Sequence, residues 1–386
     1  MADKPSFLPY GRQSIDDDDI AAVVDVLRGD WLTQGPTIDA FEADLAAAVG
    51  ARFAVSFANG TAALHAACAA LGLGPGDEVI TSPLTFSASA NCVRYVGAKP
   101  VLVDVDVWGT LSPEELAKAV GPKTRAIIPV HYAGLPARMD LIHEIASKRG
   151  IPIIEDAAHA LGARYSGGIV GDGRYSAMTM FSFHPVKHIT TGEGGAITTN
   201  DEELRDKLKL FRSHGITKDP QKLSQPSPGL WYQEQVLLGY NYRLTDMQAA
   251  LGRSQLRKLD QFVSRRRDLA AQYDGLFKGM AGIRTFEKRE GHEHAYHLYV
   301  VLIDFGRFGR DRASVMTALR EKGIGTQVHY VPVHHHPDFT YLGYKKGDFP
   351  ATERIYAQAL SLPMYPAMSD DDVVRVVSAL REVLGA

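Results

Sequence analysis

The chain has almost no cysteine, no excess charge of either sign and no long apolar run. Its two cysteines, Cys68 and Cys92, do not form a C-x-x-C pair, so neither a disulfide framework nor a zinc site is predicted. The formal net charge of -3 provides no basic field for nucleic acid or for an anionic membrane. No segment reaches the roughly 20 apolar residues of a membrane-spanning helix, and the N-terminus lacks the apolar core of a signal peptide. We therefore expect a cytoplasmic protein that binds neither nucleic acid nor membrane.

Size and composition predict a globular chain with more than one domain. The 386 residues are 45% hydrophobic and 23% charged, which is enough apolar material for a sizeable core but long for a single one. We predict an N-terminal arm over 1–13, a large domain over 14–260 and a smaller C-terminal domain over 261–386. Residues 217–238 are rich in proline, glutamine and serine, and are predicted to form a long surface loop.

Short apolar runs alternate with segments of helical pattern through the first half of the chain. The runs are RFAVSFA, DEVITSP, KPVLVDVD, TRAIIPVHY and IPIIEDAAH. Such an alternation indicates an α/β fold with a mostly parallel sheet covered by helices on both faces. Because ligands of these sheets bind at the carboxyl ends of the strands, we expect the chemistry there.

The first strand end that could bind a ligand lies in SFANGTAALHAACAAL. A strand ends at Asn59-Gly60-Thr61 and a helix begins at once, so the first amides of the helix could bind an anion, usually a phosphate. A helix capped by the threonine after a glycine turn explains the same residues equally well.

A second strand, IPIIEDAAH, brings Glu155 and Asp156 to its carboxyl end, with His159 in the next few residues. The commonest role of a carboxylate at this place is to cap a helix. If it faces a ligand, Asp156 could instead hold a proton on a heteroaromatic nitrogen.

Lys187 follows a third strand, SAMTMFSF, and Pro185 stiffens the turn between them. Most lysines are solvated, which is the ordinary interpretation of this one. A lysine beside buried apolar surface has its charged form disfavoured and becomes an amine nucleophile. Together the three strand ends offer an anion site, a carboxylate and an amine. Pyridoxal 5′-phosphate requires these groups for its phosphate, its ring nitrogen and its aldehyde.

The same motifs resemble the DegT/DnrJ/EryC1/StrS family of sugar aminotransferases over nearly the whole chain. The similarity runs from DWLTQGPTIDAFEADLA through NGTAALHAA, EDAAHALGA and FSFHPVKHITTGEGGAITTN to GYNYRLTDMQAALGRSQL and TQVHYVPVH. It implies the aspartate-aminotransferase-like fold, which is fold type I of the pyridoxal-phosphate enzymes. In that fold a large domain holds a mostly parallel mixed sheet and a smaller C-terminal α/β domain follows. The resemblance also implies pyridoxal 5′-phosphate as the cofactor.

The resemblance further implies a role for each matched residue. Lys187 would bind the cofactor covalently, Asp156 would contact its ring nitrogen, and His159 would lie near its phenolic oxygen. The other positions that match cofactor contacts are Gly60, Thr61, Phe86, Ser182 and Asn241. Phe86 would stack on the ring, and Asn241 would reach the phosphate from the neighbouring subunit of a homodimer with shared active sites. The positions that match substrate contacts are Tyr10, Asp30, Trp31, Leu32, Thr33, Gln327, Val328, His329 and Tyr330.

The motifs are most similar to a branch of the family that acts in pseudaminic acid synthesis. That branch moves an amino group from L-glutamate to C4 of a 4-keto-6-deoxy UDP sugar and forms UDP-4-amino-4,6-dideoxy-N-acetyl-β-L-altrosamine. The resemblance thus implies a nucleotide sugar and L-glutamate as substrates. Some family members carry histidine in place of the lysine and dehydrate their substrate, so Lys187 favours transamination. The alternatives are a C3 aminotransferase or a dehydratase on another keto sugar, and a non-catalytic regulatory protein that binds pyridoxal phosphate.

Three charged runs have simpler interpretations, and no metal site is predicted. The DDDD run is interpreted as the first turn of a helix capped by Ser14. The histidines of VHHHP are interpreted as an extended loop, where neighbouring side chains point to opposite sides and no acidic partner stands at ligand spacing. The run SRRR over 264–267 is interpreted as a solvated helix face, with a contact between Arg266 and a substrate phosphate left open.

Overall fold

The computed structural model of the chain describes residues 7–385. The elements of its first two thirds are α1 (Asp17–Arg28), α2 (Pro36–Val49), β1 (Phe53–Phe57), α3 (Gly60–Ala70), β2 (Glu78–Thr81), α4 (Ala88–Tyr95), β3 (Lys99–Leu102), α5 (Pro113–Ala119), β4 (Thr124–Ile128), α6 (Met139–Ser147), β5 (Ile154–Asp156), β6 (Arg164–Tyr165), β7 (Gly168–Ile169), β8 (Met178–Ser182), β9 (Gly195–Thr199), α7 (Glu202–Arg212), β10 (Ile216–Thr217), β11 (Glu234–Gln235) and α8 (Asp246–Leu256). The elements of the last third are α9 (Leu259–Phe277), β12 (Ile283–Thr285), β13 (His292–Glu293), β14 (Tyr299–Ile303), α10 (Arg312–Glu321), α11 (Pro350–Gln358), β15 (Ala359–Leu362) and α12 (Asp370–Leu384).

A mixed sheet forms the centre of the first part, in the order β1-β9-β8-β5-β4-β2-β3. Parallel bridges from Ile127 to Ile153 and from Val130 to Asp156 join β4 to β5. Only β9 runs against its neighbours, so the carboxyl ends of β1, β5 and β8 lie at one edge of the sheet. The predicted α/β fold with a mostly parallel sheet is confirmed.

The sheet is buried on both faces, as continuous apolar strands require. Two hydrophobic clusters cover the sheet, one on each face. In β4 the consecutive residues Ile127 and Ile128 pack in different clusters. Helix α2 contributes Phe41 to the first cluster, and α3 contributes Leu64 to the second. Fully burying one such side chain stabilises the fold by about 1.5–3 kcal/mol, so this double cover holds the strand ends in place.

The N-cap of helix α1 lies two residues later than the cap predicted for it. Asp16, and not Ser14, is the N-cap, and its side chain accepts a hydrogen bond from the amide of Asp19 while Asp19 accepts one from Asp16. Lys258 lies 2.6 Å from Asp16 and 2.8 Å from Asp19, and its positive charge offsets part of their negative charge. The acidic run is therefore a helix start, as predicted, but an aspartate supplies the cap.

The last third forms a second core around the antiparallel sheet β12-β14-β15. Helix α9 belongs to both cores, since Val263 packs in the first and Leu269 in the second. Leu8 of the predicted arm bridges to Ile324 and packs in the second core as well. Residues 1–6 of that arm and residue 386 lie outside the described residues.

Two irregular segments of the chain make little strand pairing. Residues 217–238 form the surface loop expected, with its ends joined by the β10-β11 pair. The TQVHYVP segment makes only one bridge, from Gln327 to Ser361. Pro332 lacks an amide hydrogen for a further ladder bond, which limits strand pairing there. Within residues 7–385, no helix is both long and apolar enough to cross a membrane.

Candidate active site

Lys187 lies in the turn that follows β8, at the carboxyl edge of the sheet. Its amide donates to the carbonyl of His184 at 2.9 Å, which closes the turn. The side chain is partly buried at the wall of a cavity rather than in bulk solvent. Burial lowers the pKa of its amine to about 8, with opposing attraction from Asp156 and further repulsion from Arg266. The interpretation as an ordinary solvated lysine is therefore wrong.

Asp156 ends β5, the strand next to β8, and is buried. Its Oδ2 accepts a hydrogen bond from Ser89 Oγ at 2.6 Å, and its Oδ1 accepts one from the amide of Ala158 at 3.1 Å. Burial raises the pKa of this carboxyl, and the Ser89 hydrogen bond opposes the rise. The preceding Glu155 faces the other way and lies 2.8 Å from His131 Nε2. Of the two carboxylates, only Asp156 lines the cavity.

His159 stands beside Asp156 and is joined to the C-terminal part of the chain. Its Nε2 lies 2.9 Å from the hydroxyl of Tyr330, and the two rings are stacked. Its buried Nδ1 has no hydrogen-bond partner within residues 7–385. Burial holds the pKa of this imidazole well below its usual value, so the ring is neutral. A neutral ring with one unpaired nitrogen can bind a polar group of a ligand.

The N-terminus of α3 forms the third side of the cavity. Asn59 caps the helix by accepting from the amide of Ala62 at 2.8 Å. Gly60 and Thr61 are then the first residues of the helix, where amides lack intrahelical partners. A Cβ on Gly60 would lie 3.2 Å from the Cβ of Ser182, so the glycine keeps this space open. The capped helix and the anion site were posed as alternatives, and the geometry accommodates both.

The cavity between these groups has a volume of ≈ 660 Å³. It brings together most of the residues that the sequence predicted for the site: Tyr10, Gly60, Thr61, Phe86, Asp156, His159, Ser182, Lys187, His329 and Tyr330. The Phe86 side chain is 58% exposed, so one ring face is free at the mouth. An amine, a buried carboxylate, a helix N-terminus and an unpaired imidazole nitrogen in one cavity fit the functional groups of pyridoxal 5′-phosphate.

The other predicted residues do not line this cavity: Asp30, Trp31, Leu32, Thr33, Asn241, Gln327 and Val328. Residues 30–33 and Asn241 are exposed on the surface of this single chain. Thr33 pairs with Thr245, and Asn241 pairs with Ser213.

Several lining or supporting residues were missed by the sequence interpretation. Asn59, and not the threonine expected, caps α3, and asparagine before a helical pattern is a common N-cap. Ser89 and His297 carried no local signal, since they reach the site from a helix and from the segment before β14. His297 Nε2 lies 3.4 Å from Lys187 Nζ.

Two interpretations of the charged runs are corrected. Val333–His335 is a short 3-10 turn and not an extended segment, so His334 and His335 both face Glu353, at 3.0 Å and 3.7 Å. The expected lack of an acidic neighbour is therefore wrong. Arg266 is fully buried rather than solvated. Its guanidinium donates to the carbonyls of Tyr296, His297 and Met364.

Known proteins resemble the chain in sequence over its full length. An uncharacterized protein of Methanocaldococcus jannaschii is 43% identical, with 99% of this chain and 98% of the relative covered. The spore coat polysaccharide biosynthesis protein SpsC of Bacillus subtilis is also 43% identical, with 98% and 97% covered.

Several solved structures have the same fold as this chain. A putative sugar aminotransferase of Streptococcus pneumoniae, solved in PMP and PLP forms, has a TM-score of 0.91 in its PMP form at 31% identity, with 98% of this chain and 99% of that one covered. PseC of Helicobacter pylori, an aminotransferase involved in the biosynthesis of pseudoaminic acid, has a TM-score of 0.91 at 30% identity, with 98% and 100% covered.

The family model of the DegT/DnrJ/EryC1/StrS aminotransferases matches residues 13–381. The match and the solved relatives confirm the aspartate-aminotransferase-like fold and the cofactor that the motifs implied. The chain therefore belongs to the DegT/DnrJ/EryC1/StrS aminotransferase family and uses pyridoxal 5′-phosphate.

Proposed function

We propose that the chain transfers the amino group of L-glutamate to C4 of a 4-keto-6-deoxy nucleotide sugar. The specific candidate is the UDP-4-keto-6-deoxy-N-acetyl-L-altrosamine-type sugar of pseudaminic acid synthesis. The observation that carries the proposal is that Lys187 and Asp156 open into one cavity from the neighbouring strands β8 and β5. The sequence motifs and the fold similarity to PseC support the sugar assignment.

The proposed roles follow from the position and charge of each group. When bound, pyridoxal phosphate supplies an electron sink for the negative charge that develops at the amino acid's Cα. Lys187 Nζ would move the proton between that carbon and the cofactor in the first half-reaction, and between the cofactor and C4 of the sugar in the second. Because its pKa is about 8, a useful fraction of the amine is neutral near physiological pH. Asp156 would accept a hydrogen bond from the protonated ring nitrogen, and this positive partner would stabilise its buried charge.

Neighbouring groups would orient the cofactor. The first amides of α3, at Gly60 and Thr61, and the Ser182 hydroxyl would hold the phosphate. His159, fixed by Tyr330, would contact the phenolic oxygen. Phe86 would stack on the ring from the mouth of the cavity.

The sugar would enter from the side opposite the sheet. Tyr10, His329 and Tyr330 line that side, and we assign them to the sugar. Gln327, Val328 and residues 30–33 would contact parts of the nucleotide sugar that extend out of the cavity.

We further propose an active homodimer. Asn241 is exposed and does not line the cavity of its own chain, so a role at the phosphate requires a second copy. Nearby, Leu230, Trp231 and Leu238 are 99%, 74% and 75% exposed, which is unusual for such large apolar side chains. A second copy of the chain would cover them.

Mixing two inactive variants tests the shared site. Lys187→Ala and Asn241→Ala are each expected to lose activity, and a heterodimer of the two would contain one intact site. Activity should therefore return when they are unfolded and refolded together. Lack of recovery in confirmed heterodimers would place Asn241 outside the partner's site.

The function is tested in two half-reactions. L-glutamate should bleach the long-wavelength absorbance of the bound cofactor and release 2-oxoglutarate. Addition of the 4-keto UDP sugar should restore the absorbance and give a 4-amino sugar by mass spectrometry. A product only from a 3-keto sugar would identify a C3 aminotransferase, and loss of water would identify a dehydratase. No reaction with any amino acid would indicate the non-catalytic alternative.

A further inference from the structure

His297 is a buried residue that reaches the site from outside the central sheet. It lies immediately before Leu298 and β14, and its Nε2 is 3.4 Å from Nζ of Lys187. Its Nδ1 is buried without a hydrogen-bond partner in the described part of the chain. An acceptor nitrogen at Nε2 requires that Nδ1 carry the ring hydrogen. Within the described residues the amine is thus the one side-chain hydrogen-bond partner of this ring, whose other near neighbours are the rings of His159 and His188.

The backbone of His297 is fixed from two sides. Arg266 donates to the carbonyls of Tyr296 and His297, each at 3.2 Å. On the other side Gly134, at φ +104°, approaches so closely that a Cβ would lie 3.0 Å from the amide nitrogens of Tyr296 and His297. This close contact requires glycine at position 134. The imidazole therefore has little freedom to move away from Lys187.

The ring is neutral at physiological pH, because burial keeps its pKa well below the usual histidine value. The other titratable or charged groups that face Lys187 are Asp156, Arg266, His159, His188 and His329. Asp156 already supplies negative charge to this cluster. A second carboxylate beside the amine would favour its protonated form, whereas a neutral acceptor orients the amine with a smaller effect on its charge.

We propose that His297 is a positioning residue for Lys187: its Nε2 accepts a hydrogen bond from Nζ and aims the amine into the cavity between Asp156 and His159. The proposal rests on the proposed role of Lys187 as the amine that binds the cofactor.

The test compares His297→Leu, which fills the space without an acceptor, with His297→Gln, whose amide oxygen can accept. In cofactor-free protein, the pH dependence of the reaction of Lys187 with trinitrobenzenesulfonate reports the pKa of the amine, expected at about 8. Loss of the acceptor destabilises the protonated amine. The midpoint should therefore fall by about half to one pH unit in His297→Leu and stay near the original value in His297→Gln.

Covalent capture of pyridoxal 5′-phosphate by the same proteins gives a second readout. The capture rate should fall about tenfold to a hundredfold in His297→Leu and recover within a few-fold in His297→Gln. His334→Leu is the matched control, since it removes another buried histidine far from Lys187 in the chain, and it should change neither value.

Unchanged midpoint and capture rate in folded His297→Leu would overturn the proposal. An equal loss in the Gln and Leu variants would also overturn it, because it would show that only the packing matters. Melting curves of both variants show whether a change in either readout comes from unfolding instead. If instead Lys187→Ala still captured the cofactor covalently, the proposed function itself would fail.

Discussion

The two sides of the cavity are built in different ways. The sheet side consists of strand ends and the turns after them, which contribute Gly60, Asp156 and Lys187. The opposite side consists of irregular segments, with Tyr10 from the arm and Tyr330 from the loop before α11. Strand pairing and two hydrophobic clusters hold the first side, whereas isolated bridges and single hydrogen bonds, such as that from Tyr132 Oη to the carbonyl of His329, hold the second. On the proposed function, the reaction chemistry lies on the paired strands of the sheet, and recognition of the sugar lies on irregular segments that can vary.

The strongest test of the proposed difference between the two sides of the cavity is the substitution Lys187→Ala. Removing the amine should abolish the long-wavelength absorbance of the bound cofactor and lower kcat by about 10⁴-fold, because both the covalent link and the proton transfer are lost. Absorbance spectra and steady-state kinetics measure the two effects. Lys148→Ala, which removes a lysine 67% exposed on its side chain, should leave both unchanged. If Lys187→Ala retained turnover, the strand ends of the sheet would not supply the catalytic amine.

Asp156→Asn is expected to have the next largest effect. The amide keeps the shape of the side chain and its contact with Ser89, but it lacks the charge that stabilises a protonated ring nitrogen. Cofactor binding should persist while kcat falls by about 10²–10³-fold. Equilibrium dialysis measures cofactor binding, and single-turnover kinetics measures the rate of the chemical step.

The neighbouring Glu155 provides a matched control for this prediction. Glu155→Gln alters a carboxylate on the same strand that faces His131 and not the cavity. It should lower the melting temperature through the buried pair but leave kcat of the folded enzyme near normal. Equal losses of kcat in both variants would mean that the effect of Asp156 is structural.

The contrast between the two sides also explains what the sequence could predict. Parallel strands bring their carboxyl ends to one edge, so local motifs at Asp156 and Lys187 were enough to predict a shared site. The other side depends on contacts that span 110 residues, from Lys187 to His297, and 171 residues, from His159 to Tyr330. No local pattern encodes such pairs, and Tyr330 was assigned only through the family resemblance. The buried state of Arg266 was missed for the same reason, because its partners are carbonyls of distant segments.

Tyr330→Phe tests the contact between the two sides. Without the hydroxyl, the buried Nε2 of His159 loses its partner, and an unpaired buried group costs about 1–3 kcal/mol. We expect kcat to fall about tenfold with both half-reactions affected, since the proposed contact of His159 is with the cofactor and not with one substrate. Rapid-reaction kinetics with L-glutamate alone isolates the first half-reaction. A loss confined to the sugar half-reaction would show that Tyr330 contacts the sugar only.

Trp31→Ala should have the smallest effect and the most selective one. The Trp31 side chain is 58% exposed and does not line the cavity, so the proposed contact is with an outlying part of the nucleotide sugar. Loss of one such contact, worth about 1 kcal/mol, should raise KM for the sugar about fivefold and leave KM for L-glutamate and kcat unchanged. Steady-state kinetics with each substrate varied in turn gives both constants. If KM for L-glutamate rose instead, residues 30–33 would act on the chemistry, and the division between a catalytic sheet and variable recognition segments would no longer describe the enzyme.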